Sequence, residues 1–472
     1  MDKSGTFKEH EPITAVMLGC GDRGLNVYGA YAIDYPKRLK FVACADLNSI
    51  KRNRFAKVHK IPEGFAFESD KEALDAGKIA DAIFICTMDQ LHENEVLPAL
   101  NLGYHVFLEK PMAITEAGCR EIVANSTNRD QILAVGHVLR YSPLFAKVKE
   151  LIEAGAIGDI TNIRHSENMA TWVYAHSFVR GNWENSEKTS SLILQKGCHD
   201  LDLIYWFAKS HPTEISMFVT PTPFSLENAP KDIPERCTDG CIYSETCLYE
   251  AVRFYLQGKF VMLDNTRSES RMVRAIFHLA LKYPRLARTL FPPLKKYQLV
   301  PWRRWPTTQV SEDLSEEGIM KGLREGPYGR CIYRCNNDQP VSHVVNILFE
   351  NGCTATYILH GMSYRDGREL RIDGIKGTIK ALFYNTGFFV ELHDHLTGKT
   401  KKWRLKLETT AGGGGDHKIV DEFVDAIRGI APAPIAPQES LVSHLMAFAA
   451  ERSVKNHTIE KIQICVYIDG AL

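Results

Sequence analysis

The 472-residue sequence has no excess of charge, with 57 Lys and Arg against 57 Asp and Glu. This balance offers no basic field for a phosphate backbone or an anionic bilayer, so neither nucleic acid nor membrane is an expected partner. Long apolar runs are also missing: no stretch reaches the ~18 consecutive apolar residues of a membrane-spanning helix. Residues Met1–Pro12 lack a basic start followed by an apolar run, so no secretory leader is expected and the cytoplasm is the expected compartment. There is no internal repeat. The one low-complexity tract, Gly412–Gly415, reads as a flexible connector.

What remains is an ordinary globular composition, 44% hydrophobic and 24% charged, in a chain long enough for two cores. Residues 13 to 137 alternate short apolar runs with amphipathic stretches. Ile13–Leu18, Phe41–Ala45, Ala82–Cys86, His105–Leu108 and Ile132–Val135 read as buried strands, with helical patterns such as Ile50–Lys57 and Glu93–Leu102 between them. Alternation at this spacing predicts a parallel sheet covered on both faces. A second pattern starts near Tyr141, with helices at Pro143–Ala154 and Cys198–Ala208 and a strand at Asp159–Ser166. Asn351-Gly352 between Val344–Phe349 and Thr354–Leu359 is a strong hairpin signal, and Leu370–Ile372 and Gly377–Leu382 add strands. The expected architecture is an α/β Rossmann domain over 1–138, then an α+β domain over 139–472 with an open, mostly antiparallel sheet. An irregular, cysteine-containing insertion is expected at about 221–340. Its basic-aromatic stretch Lys282–Trp305 reads as a solvated face with buried Trp side chains. Helices within 416–452 are expected to pack back on the body.

Gly19-Cys20-Gly21-Asp22-Arg23-Gly24 is G-x-G-x-x-G between a strand and a helical stretch. Gly19 permits the tight turn, Gly21 lets a pyrophosphate approach the backbone, and Gly24 lets the helix pack on the sheet. The helix start offers unpaired N–H groups to the anion. Asp46 ends the second strand, 22 residues after Gly24, where a ribose-binding carboxylate belongs. A carboxylate repels a 2′-phosphate, so NAD is expected over NADP, although Lys51 and Arg52 soften the preference.

With Thr87-Met88-Asp89-Gln90-Leu91-His92, then Glu109-Lys110-Pro111 directly after the strand ending at Leu108, then Gly197-Cys198-His199-Asp200-Leu201-Asp202, the chain resembles the glucose–fructose oxidoreductase / inositol dehydrogenase / rhizopine-catabolism (Gfo/Idh/MocA) family. The resemblance covers roughly 1–220 and 340–460. It implies a nicotinamide-dependent oxidoreductase that takes hydride from a ring carbon of a sugar, sugar derivative or cyclitol. It places Lys110 and His199 beside the nicotinamide, Lys110 on the reacting oxygen and His199 as general base. Thr87, His92 and Glu109 join Gly19, Gly21, Asp22, Arg23, Gly24 and Asp46 as expected cofactor contacts. Asp202, three residues after His199, is expected to orient it or to meet substrate. Many members carry an aspartate four residues before the histidine; here Gln195 stands there, followed by Lys196, a second candidate cation toward substrate. The resemblance also implies homodimers or homotetramers, in which a partner's sheet covers the open one. Two other functions stay open: a redox-assisted glycosidase, and a non-catalytic dinucleotide-binding sensor.

Two further groups stand out. Ala175–Trp183 is dense in hydrogen-bonding and aromatic side chains, and its His176, Arg180 and Trp183 suit a polyhydroxylated ring. Cys237-x3-Cys241-x5-Cys247 and Cys331-x3-Cys335 lie inside the insertion. In a reducing compartment such clusters point to metal before disulfide. Four of these five thiols suit a structural zinc. An iron–sulfur cluster is the second reading, and ordinary reduced thiols or a disulfide the third.

Overall fold

The structure, a computed structural model, describes residues 11–127, 129–266, 270–384, 387–405 and 414–464. Met1–His10 and the Gly412 and Gly413 positions of the glycine run lie outside them. Among the described residues, no helix is long and apolar enough to cross a membrane.

The first sheet has six parallel strands: β1 Ile13–Leu18, β2 Leu39–Ala45, β3 Ala66–Phe67, β4 Ala82–Ile85, β5 His105–Leu108 and β6 Leu133–Val135, in the order β3-β2-β1-β4-β5-β6. Burial on both faces explains the continuous apolar runs, as in β4, where all four side chains are buried. The helix Ser49–His59 starts where the Asn48 side chain accepts from the Ile50 and Lys51 amides. One face is finished by a distant segment. The helix Gly415–Ile427 lays Ile419, Val420, Phe423, Val424 and Ile427 on a core that includes Tyr28, Phe84 and Phe107. The i, i+1, i+4, i+5, i+8 spacing of these residues makes one apolar stripe. The predicted set lacks only β3, two residues long and too short to carry a periodic signal.

The second sheet has nine strands: β7 Ile160–Ala170, β8 Pro212–Thr220, β9 Ser342–Phe349, β10 Thr354–Ser363, β11 Gly367–Gly374, β12 Gly377–Tyr384, β13 Gly387–Asp394, β14 Thr400–Leu405 and β15 Glu460–Lys461. Their order is β14-β13-β12-β11-β7-β10-β9-β8-β15, antiparallel except for the β7–β10 pair. The Asn351-Gly352 hairpin joins β9 to β10, and Gly352 takes φ +80°, a conformation open to glycine. The helix Pro437–Asn456 lies against β8, the helix Gly197–Ala208 and the first domain's Glu116–Ser126. It therefore ties the two sheets together.

The insertion differs from its expected irregularity. It contains helices at Lys259–Thr266, Arg271–Lys282, Pro284–Leu290, Pro292–Lys296 and Glu316–Glu325. A small core of Met262, Phe277, Ala280, Ala287, Leu294 and Val300 holds the first four together. Prolines begin two of these helices, where the missing N–H costs nothing, so they punctuate helices here rather than loops. The tryptophans of the basic stretch are not buried: Trp302 is half-buried and Trp305 exposed.

Candidate active site

In an open parallel sheet, ligands bind at the carboxyl ends of the strands. The glycine turn leaves β1 at that edge. Gly19 has φ +85°, and a Cβ there would stand 2.5 Å from the Cys86 carbonyl oxygen beyond β4. A Cβ on Gly24 would stand 2.1 Å from the Gly19 carbonyl oxygen, whereas one on Gly21 would meet no atom within 4 Å. The turn is closed at its first and third glycines and open at the second, the shape a pyrophosphate needs. Asp46, at the end of β2, accepts from the Cys20 amide at 2.8 Å and from the Asn48 amide at 2.8 Å, which sets it at the rim of that opening. Asp22 is exposed and accepts from the Asn26 amide group at 2.7 Å.

Arg23 departs from its expected cofactor contact. Its guanidinium donates to Glu109 (2.6 Å), Asp416 (2.8 Å) and the Tyr28 hydroxyl (2.6 Å). Buried carboxylates need such partners, and they occupy its donors. Burial alone would raise the Glu109 carboxyl, but Arg23 and the Tyr28 hydroxyl hold it below the usual carboxylate range. Glu109 thus anchors the turn after β5 to the glycine loop and to the C-terminal helix. Thr87 donates to the buried Glu95 at 2.5 Å. His92 is fully buried, with Nδ1 at 2.7 Å from the Pro111 carbonyl, so it braces the Glu109-Lys110-Pro111 turn from behind.

Lys110 reaches across to the other domain, where its ammonium donates to the Gln195 carbonyl. His199 stands in the first turn of the helix Gly197–Ala208, one turn beyond that carbonyl. Burial, then the Lys110 charge, His137 and Arg368 push the His199 imidazole well below its ordinary value, so it is neutral and able to accept a proton. His137, just past the end of β6, lies 5.9 Å from His199 between ring centroids and is followed by His444 at 5.7 Å. Neither ring nitrogen of His137 has a hydrogen-bond partner among the described residues. Asp200 faces away from the site. It accepts from Arg368 (2.7 Å) and sits 2.5 Å from His165, which pins the helix start to β7 and β11.

Other expected substrate residues are arranged differently. Asp202 turns to Arg140, which donates to both its oxygens at 2.7 and 2.8 Å, and among the described residues no hydrogen bond joins it to His199. Arg140 also meets Glu439 at 2.8 Å. His176 is buried, stacked on Tyr328 with Nδ1 at 2.8 Å from the Tyr255 hydroxyl, and burial pushes it down to about 3. Arg180 is buried against the insertion, donating to the Arg330 and Tyr249 carbonyls. These two belong to the insertion's packing, an outcome that local composition does not distinguish from a sugar-binding loop. Trp183 is half-buried at the domain seam, where its Nε1 donates to the buried Asp89 at 2.8 Å. Lys196 lies 3.6 Å from Glu167, whose carboxyl burial pushes up to about 7.

Sequence reasoning missed His137, Arg140, Arg368 and His444. His137 had a usable signal, its place just past a parallel strand's carboxyl end. Arg140 follows three residues on, while Arg368 and His444 come from segments that only the fold brings near. The five insertion cysteines are free thiols. Among the described residues, no three His, Cys, Asp or Glu side chains converge on a position for one metal ion, so the zinc expectation finds no ready-made centre.

Comparison with known proteins follows the same division. Residues 13–137 match the Gfo/Idh/MocA oxidoreductase family, NAD-binding Rossmann fold, and residues 145–231 match the Gfo/Idh/MocA C-terminal domain. The chain is 27% identical over 203 residues to a 1-carboxy-3-chloro-3,4-dihydroxycyclohexa-1,5-diene dehydrogenase of Comamonas testosteroni, covering 43% of this chain and 49% of that one. It is 26% identical over 188 residues to an inositol 2-dehydrogenase/D-chiro-inositol 3-dehydrogenase of Shouchella clausii, covering 38% and 50%. The chain thus spans about half the length of these curated relatives. A solved oxidoreductase of Agrobacterium radiobacter, in complex with NAD+, L-tartaric acid and magnesium, shares the fold with TM-score 0.63 at 14% identity, covering 95% and 98%. Residues 13–137 and 145–231 thus match both of the family's domains, in the family's order.

Proposed function

We propose that the protein is an NAD-dependent oxidoreductase acting on a ring hydroxyl of a sugar, sugar derivative or cyclitol. The observation that carries this reading is that the Lys110 ammonium crosses the domain seam to the Gln195 carbonyl, one turn before His199, at the sheet edge where Gly21 leaves the glycine turn open. Bound NAD would supply the hydride acceptor. Gly19, Gly21, Gly24 and the following helix start would hold its pyrophosphate, and Asp46 its ribose hydroxyls. His199 takes the proton from the substrate hydroxyl, and Lys110 stabilises the negative charge that develops on that oxygen. Trp183 and Lys196 would line the approach from the second domain. The polyol class rests on the cyclic-diol and inositol dehydrogenases among the relatives. A panel of free sugars, cyclitols and aryl glycosides with NAD, followed by NADH absorbance and aglycone release, tests it. Net NADH from a free polyol supports the reading; aglycone release without net NADH assigns the redox-assisted glycosidase instead.

The Asp46 carboxylate at the rim makes NAD the expected cofactor. Calorimetry should show NAD binding on the order of tenfold or more tighter than NADP, because a 2′-phosphate would face a fixed negative charge. Stronger NADP binding would show that Lys51 and Arg52 dominate.

We also propose a homo-oligomer. Register places Phe218, Val344, Ile358, Ser166, Glu369 and Leu382 in one row across β8, β9, β10, β7, β11 and β12. Phe218 is 72% exposed, and Ile358 and Leu382 are exposed with it. The exposed apolar side chains of this row would be covered in an assembly, and a second copy of the same mixed face is self-complementary. Light scattering should give a particle at least twice the 53.3 kDa chain at micromolar concentration. A single-chain mass would contradict the proposal.

A further inference from the structure

The insertion brings two cysteine segments to one cavity. Arg236 and Arg330 form an antiparallel bridge, with the Cys237 amide donating to the Gly329 carbonyl (2.9 Å) and the Cys331 amide to the Glu235 carbonyl (2.8 Å). Cys237 and Cys331 therefore flank the bridge diagonally, one on each strand. Cys241 and Cys247 flank a run of turns closed by Ser244 N–H to the Cys241 carbonyl and Cys247 N–H to the Tyr243 carbonyl. The four thiol-bearing residues line one cavity of about 260 Å³. Cys335 is not among its lining, and its thiol instead contacts the Cys331 carbonyl at 3.4 Å.

The cavity also has a cation in its wall. Arg180 is 3% exposed, and its Nη2 lies 3.6 Å from the Cys237 sulfur. Its other partners are the Arg330 and Tyr249 carbonyls, and among the described residues it makes no ion pair with a carboxylate. A buried guanidinium without an anion is costly. Thiolates supply that anion, and thiols become thiolates when they bind metal, releasing their protons to solvent.

Size discriminates between metals. A tetrahedral zinc draws four sulfurs to ~2.3 Å from one centre and leaves no void. Among the described residues no three such ligands converge on one point, as a mononuclear site requires, whereas the four cysteines stand apart around one cavity. Four thiols around a larger space is the arrangement that holds iron–sulfur clusters. We propose that Cys237, Cys241, Cys247 and Cys331 ligate an iron–sulfur cluster in this cavity, with Arg180 as its buried counter-cation. The cluster ties the 235–250 and 329–335 segments to the stretch ending at Arg180. Three residues on, that stretch places Trp183 against Asp89 at the domain seam.

Full-length protein purified without oxygen or chelator tests this. Iron and acid-labile sulfide should be bound in comparable amounts, with visible charge-transfer absorbance that dithionite bleaches. Cys237→Ser and Cys331→Ser should lose most of the iron, while Cys335→Ser and Cys353→Ser keep it. Stoichiometric zinc without iron or sulfide would overturn the proposal. So would metal-free protein in which these four thiols all react with an alkylating reagent in the folded state. If the serine variants fail to fold, the iron, sulfide and Mössbauer analysis of the unaltered protein decides alone.

Discussion

Lys110→Ala and His199→Ala should each lower turnover by ~10²–10⁴-fold, the range for losing a positioned acid–base or charge-stabilising group. NAD affinity should stay nearly intact in both, because neither side chain belongs to the glycine turn or to the Asp46 rim. The two act on one oxygen, so the double variant should lose less than the product of the single effects. The pH profile separates them. His199 is held neutral by burial and by the Lys110 cation, so His199 accepts protons without first having to deprotonate. Removing Lys110 lifts that constraint and moves the histidine's titration upward, so the acid limb of turnover should shift to higher pH in Lys110→Ala. A folded, NAD-bound single variant with near-normal turnover on the identified substrate would remove that residue from the mechanism.

Local pattern revealed the parts of this site that depend on contiguous sequence. The glycine turn is a strand-to-helix junction whose steric demands fall within six residues, and Gly19 and Gly24 stand where a Cβ would collide. The Asn351-Gly352 hairpin was legible for the same reason. What failed was anything that depends on which segment comes to lie opposite. Arg23 sits in the glycine turn, yet its guanidinium is claimed by Asp416, 393 residues away. His176 and Arg180 look like ligand-reading residues in isolation. The insertion then folds over them, and Tyr255, Tyr328 and two carbonyls occupy their polar groups. The insertion's helices were missed because their prolines and cysteines resemble loop composition, while their core is only six buried residues.

Arg368→Met should destabilise the fold by ~3–5 kcal/mol, the cost of removing one partner from buried ionic contacts. Arg368 reaches from β11 to Glu167 at 2.8 Å and Asp200 at 2.7 Å, and the Asp200 carboxylate is wholly buried. Burial works to raise the Asp200 carboxyl, but Arg368 and His165 hold it well below its ordinary value. A carboxyl depressed in the folded state stabilises above its unfolded value of 3.8 and loses that contribution as pH falls. Without the guanidinium Asp200 loses its chief lowering partner and Glu167, already pushed up to about 7 by burial, rises further, so the folded state binds extra protons and acidification favours folding. The stability gap between Arg368→Met and the unaltered protein should therefore be widest near neutral pH and narrow toward pH 4, as followed by denaturant unfolding at a series of pH values. Adding Glu167→Gln to Arg368→Met should recover part of the loss at alkaline pH, where Glu167 would otherwise have to ionise without its guanidinium partner. A gap below about 1 kcal/mol at neutral pH, or one independent of pH, would show that the network does not anchor the helix start that carries His199.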